Sequence, residues 1–139
     1  MKGVVQVAKI TSEQIQKINN MCSNEWVLDT EYYVYHNEKT LIKHIRMNET
    51  NYLEFRLSYN YKNQISIHIS NFYHKPEDTF ASSSGMGKRK ILDETQYKRK
   101  NINNLIELTK ELNDTKLLEI NKTTPLASGY GLIAESEDF

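Results

Sequence analysis

The sequence predicts an α+β domain in which an antiparallel sheet of four to five strands carries an N-terminal helix and two C-terminal helices. Three observations lead there. Leu53, Phe55, Leu57 and Tyr59, and again Ile65, Ile67 and Ile69, alternate with polar residues at the period of a half-buried strand. Thr11-Ser-Glu-Gln14 opens a stretch with helical spacing, and a second helical stripe follows the strands at Ile102, Leu105, Ile106, Thr109 and Leu112. Strands grouped before helices favour segregated α and β layers over a parallel βαβ fold. With 139 residues, 38% of them hydrophobic, the chain suffices for one core, so a single domain over residues 1–139 is expected.

The elements follow in order. Val4, Val5 and Val7 mark a short first strand, and the capping box starts a helix with Ile15, Ile18, Met21 and Cys22 on one face, ending near Ser23-Asn24. Trp26, Leu28, Tyr32 and Val34 share one parity, which predicts a long strand from Trp26 to His36. Leu41 to Met47 fits a helix face or a strand, and strand is preferred. A hairpin comes next. Pairing Asn60 with Gln64 across Tyr61-Lys-Asn63 sets Leu57 against Ile67 and Phe55 against Ile69, whereas a one-residue slip would set apolar side chains against polar ones. The same register sets Arg56 against His68, Glu54 against Ser70 and Ser58 against Ser66 on the other face. Asp93-Glu-Thr-Gln96 then reads as the start of a helix with Lys98, Arg99 and Lys100 in its first turns. A second helix, Thr115 to Asn121 with Asn113 or Asp114 as cap, precedes Pro125, and an acidic tail runs over residues 126–139.

The chemistry concentrates in Phe80-Ala-Ser-Ser-Ser-Gly-Met-Gly-Lys-Arg-Lys90, which gathers three hydroxyls, two glycines and three cations in a chain whose 18 basic and 18 acidic residues cancel. Glycines let backbone N–H groups converge, hydroxyls donate, and cations supply charge, the ingredients of a phosphate cradle. A solvated Ser/Gly connector followed by surface charge has the same composition. The segment is not a Walker A loop, since Arg89 stands where Ser or Thr is required and Ser83 where the first glycine belongs. Candidate ligand residues are Ser84, Gly85, Gly87, Lys88 and Arg89 from this loop and Lys98 and Arg99 from the next basic group. Arg56 and His68 would reach in from the sheet, and Phe80 would stack on a base.

Reaction signatures are missing. His36, His44, His68 and His74 lack close metal-ligand spacing, and the lone Cys22 completes no zinc set, so neither a metal nor a cofactor is expected. His68-Ile-Ser70 matches one half of a two-histidine phosphoesterase pair, but no second His-x-Ser/Thr is present, and no serine sits in Gly-x-Ser-x-Gly. A non-catalytic protein is therefore expected. Formal neutrality argues against a nucleic-acid coat, and the absence of a long apolar run or leader-like start argues for a cytoplasmic protein without membrane attachment.

The order of these features resembles the phage Thoeris anti-defence proteins of the first type: a β-rich half with Arg56 on a central strand, then Phe80 to Lys90, then Tyr97-Lys-Arg-Lys100. The likeness covers roughly residues 50–112. It implies an oligomeric sponge, acting in an infected bacterial host, that sequesters cyclic ADP-ribose-type signals or cyclic nucleotides. Arg56, Phe80 and Arg99 are the residues to which a ligand role carries over. A small phosphorylated nucleotide is then the partner, and a dimer or a multiple of dimers is expected because loops on so small a domain make a shallow pocket. Two other readings stay open: an inhibitor that binds a bacterial defence protein directly through its tyrosine-rich sheet, as anti-CRISPR proteins bind theirs, and a module for single-stranded nucleic acid.

Overall fold

The computed structural model describes residues 10–30, 38–73, 82–83 and 87–125. Helix α1 spans Ser12–Met21 and begins with the expected capping box, in which the Gln14 N–H donates to Thr11 Oγ1 at 3.1 Å and the Thr11 N–H donates to Gln14 Oε1 at 2.9 Å. Asn24 and Glu25 then adopt left-handed φ of 57° and 65°, turning Trp26 inward. Trp26 is buried, and its indole N–H donates to the Leu112 carbonyl at 3.0 Å.

The long strand expected from Trp26 is not there. Strand β1 is only Val27–Leu28; beyond it Asp29, on the same face as Val27, sets its carboxylate against Arg56 at 2.6 Å. Residues 31–37 of that expectation, the predicted strand at Val4 to Val7 and the acidic tail lie outside the described residues.

Strands β2 (Leu41–Arg46), β3 (Asn51–Tyr59) and β4 (Ile65–Tyr73) form an antiparallel meander in the order β1-β2-β3-β4. The hairpin register is the expected one, with Leu57 opposite Ile67, Phe55 opposite Ile69 and Arg56 opposite His68. The turn is closed by the Asn60 N–H donating to the Gln64 carbonyl at 2.7 Å, and Asn63 takes the left-handed conformation that asparagine tolerates. The far edge of β4 carries two strands end to end: β5 (Ser82–Ser83) pairs with Phe72 and Tyr73, and β6 (Lys88–Asp93) pairs with Ile65 to Ile69. Among the described residues six strands thus make a sheet five wide.

Two helices complete the α+β arrangement, α2 (Ile102–Thr109) capped by Asn101 and α3 (Asp114–Thr123) capped by Asn113. The second matches expectation, and the first starts later than expected. Asp93 ends a strand and opens no helix: it accepts from the Thr95 N–H at 2.9 Å and from the Tyr97 hydroxyl, while the Tyr97 N–H donates to Asn63 at 3.0 Å. These bonds tie residues 93–97 to the hairpin and leave Lys98 to Lys100 ahead of the helix. One sheet face, including Leu41, Leu53, Phe55, Leu57, Ile65, Ile67 and Ile69, forms the core with Ile18, Trp26, Leu105, Leu117 and Ile120. Each such side chain contributes roughly 1.5–3 kcal/mol by leaving water. The opposite face carries the polar groups considered next.

Candidate anion-binding site

Because paired residues of an antiparallel sheet share a face, the register alone assembles a transverse row on the polar side: Ile42, Arg56, His68 and Arg89, from β2, β3, β4 and β6 in turn. Three candidate residues far apart in sequence meet here. Beside it runs a row of His44, Glu54 and Ser70, and beyond that one of Arg46, Tyr52, Phe72 and Ser83.

Electrostatics give the row its character. Arg56 donates through Nε to Glu54 at 2.6 Å and through an η nitrogen to Asp29 at 2.6 Å, so its guanidinium is held by two largely buried carboxylates. Glu54 also accepts from the His44 ring at 3.1 Å. Burial pushes the Glu54 carboxyl up, but the hydrogen bonds from His44 and Arg56 outweigh it and hold the pKa below the usual carboxylate value. The expectation that Arg56 offers its fork to a phosphate is corrected accordingly. Arg56 is a fixed member of the row whose charge is balanced by Asp29 and Glu54.

His68 sits between two arginines. Burial, then the positive charges of Arg89 and Arg56, lower its pKa, so the ring is neutral at pH 7 and keeps both a donor and an acceptor nitrogen. Ser70 Oγ lies 3.4 Å from Nδ1, too long for a strong hydrogen bond. Gly87 lies directly over the ring: a Cβ at this position would fall 2.5 Å from His68 Nε2, so only glycine leaves the imidazole undisturbed. Arg89 is exposed and has no ion-pair partner among the described residues. It is the cation of this row most open to an incoming anion.

The Ser/Gly segment belongs to the same place. Ser82–Ser83 and Lys88 both pair with β4, at Phe72–Tyr73 and Ile69, so the described flanks of the loop are pinned along the strand that carries His68 and Ser70. Phe80, Ser84 and Gly85 lie outside the described residues. Tyr52 and Phe72 supply an aromatic platform four residues from Arg56 and His68, their rings stacked at 5.4 Å and 16°. At about 3.3 Å per residue the platform and the cationic row are about 13 Å apart.

Two expectations fail by geometry. Lys88, expected as a ligand cation of the loop, opens strand β6 opposite Ile69, on the core face, where it is 1% exposed and donates from Nζ to the Asn121 carbonyl at 2.7 Å. Burial lowers its pKa. Its position on the strand decides this, because Arg89 takes the opposite face. Arg99, moreover, does not flank the same pocket as Arg89. It lines a concavity beside α2 with Tyr59, which belongs to the core-side parity of β3, while Lys98 is exposed on the connecting segment.

Sequence reasoning overlooked Tyr52, Phe72, Asp29 and Gly87's closeness to His68. Tyr52 and Phe72 were legible as a pair once the hairpin register was set. Among the described residues no group of three or more His, Cys, Asp or Glu side chains is placed to hold a metal ion, and no helix is long and apolar enough to cross a membrane. No protein-family model matches the chain, and comparison with curated proteins and with solved structures gives no match.

Proposed function

We propose that this chain is a non-catalytic binding protein that takes up a phosphorylated, nucleotide-like molecule on the polar face of its sheet. The observation that carries this reading is the row in which neutral His68, with Gly87 over its ring, stands between Arg56 and exposed Arg89. An anion placed there meets Arg89 and an imidazole donor, while Arg56 is already held by Asp29 and Glu54 and does not compete for the contact. The stacked Tyr52 and Phe72 are within reach of a base on the same molecule. That spacing suits a ligand with a diphosphate or two linked nucleotides. Cyclic ADP-ribose-type and cyclic nucleotide signals have these parts, and the resemblance to phage sponges favours them, with sequestration in an infected bacterium as the role.

Calorimetry with cyclic ADP-ribose isomers and cyclic dinucleotides tests the reading, followed by heat release and chromatography of the ligand. Binding with recovery of intact ligand is expected. Arg89→Ala should weaken it by roughly tenfold to a hundredfold, the loss of one charged hydrogen bond. Gly87→Ala, which must displace the imidazole, should weaken it as well. Recovery of a cleaved product, or unchanged affinity in both variants, contradicts the proposal.

A further inference from the structure

The pocket beside α2 is separate from the polar sheet face and has its own chemistry. It encloses about 500 Å³, within the range of small-molecule sites. Its apolar wall is the ring of Tyr59 with Ile102 and Leu105. Tyr59 is rigid: its hydroxyl donates to the Asn101 carbonyl at 3.0 Å, accepts from the Asn101 N–H at 3.2 Å and from Asn104 Nδ2 at 3.0 Å, and its ring meets Tyr97 edge-on at 5.4 Å. With the hydroxyl committed, what Tyr59 presents to an occupant is apolar ring.

The polar wall is cationic. Lys39, Arg99 and Lys100 line it together with the carboxylate of Glu38 among the described residues. Glu38 is taken by Lys100 at 2.6 Å. Arg99 is exposed and has no ion-pair partner among the described residues, so its planar fork is open to a ligand.

We infer that this pocket is a second binding site, for a small organic anion whose charged group pairs with Arg99 and whose ring lies against Tyr59 and Ile102. The site stands independently of the function proposed for the sheet face, because Arg89 and Tyr59 are on opposite faces of the sheet. Both parts of the pocket are needed. Arg99 alone would take any anion, and the apolar wall alone would not select charge.

Phenyl phosphate and inorganic phosphate are suitable probes, titrated into the full chain while its amide NMR spectrum is recorded. Phenyl phosphate should shift the amides of Asn101 to Leu105 and bind at least tenfold more tightly than inorganic phosphate. Arg99→Ala should cost at least tenfold in phenyl phosphate affinity, and Arg99→Glu more. Arg89→Ala should leave that affinity unchanged, which separates this site from the one on the sheet. Equal binding of both probes, shifts confined to the strands around His68, or indifference to both Arg99 substitutions would overturn the inference. Both variants change an exposed side chain, so an unaltered spectrum outside the pocket confirms that the fold is kept.

Discussion

At the scale of single residues, His68 is the group whose chemistry depends most on its neighbours. Its pKa lies below the ordinary 6.5 because the ring is partly buried and because Arg89 and Arg56 stand close, with Glu54 opposing them only in part. The consequence for stability has a definite sign. Below about pH 6.5 the unfolded chain binds a proton that the native ring still refuses, so stability falls with pH from 6.5 down through the depressed native pKa, and above 6.5 this group contributes no slope. A bound phosphodiester, whose own charge is constant in this range, favours the imidazolium. Binding should then take up a proton, and affinity for a cyclic dinucleotide should rise several-fold from pH 8 to pH 6. Titration calorimetry in two buffers of different ionisation enthalpy measures that proton uptake. In His68→Gln the pH dependence should vanish; if it persists, the proton is taken up elsewhere. Cys22 is a contrasting case, its thiol pushed up to about 11 by burial alone, and it packs at the end of α1 as a small apolar group.

At the scale of elements, two buried lysines hold helix α3 at both ends. Near its start, Lys43 reaches Asp114 at 2.9 Å and also donates to the Asn24 carbonyl at 2.6 Å, fixing the left-handed turn that delivers Trp26 to the core. Near its end, Lys88 donates to the Asn121 carbonyl, where the helix dipole favours a cation. Both lysines stand on the core face of the sheet, their stems among apolar side chains and their ammonium groups at the helix ends. Methionine keeps the stem and removes the charge, so Lys88→Met should cost about 1–2 kcal/mol, and Lys88→Ala, which also opens a cavity, about 2–4 kcal/mol. Urea unfolding gives both numbers. Ligand binding on the polar face should survive Lys88→Met while it is lost in Arg89→Ala, although the two residues are adjacent. Loss of binding in Lys88→Met without loss of stability would mean that the lysine reaches the ligand after all.

At the scale of the whole molecule, one core joins the sheet to all three described helices. Trp26 links the turn after α1 to Leu112, between α2 and α3, while Tyr59 links β3 to the start of α2. With every layer resting on the same buried cluster, no part of it should unfold alone. Thermal unfolding followed by fluorescence of the single tryptophan and by far-ultraviolet circular dichroism should therefore give coincident transitions. A helical signal lost below the fluorescence transition would divide the molecule into two cooperative units.

The sequence by itself determined the elements whose information is local. The capping box of α1, the caps of α3 and the β3–β4 hairpin follow from nearby residues, and the register is fixed because Leu57, Phe55, Ile67 and Ile69 match in only one alignment. That register already placed Arg56 beside His68. What it left undetermined depends on partners far along the chain. Asp29 finds its partner in Arg56, 27 residues away, and the basic segment at Lys88 becomes a strand because β4 has an edge to receive it. Strand parity then buries Lys88 and exposes Arg89, a distinction invisible in a run of three cations. Packing of Tyr59 against Asn101 and Asn104 sets Arg99 beside α2, on the other side of the sheet from Arg89. Charge can be counted in a sequence, but the side of a sheet on which a charge stands is decided by long-range pairing, and that pairing set Arg89 and Arg99 apart.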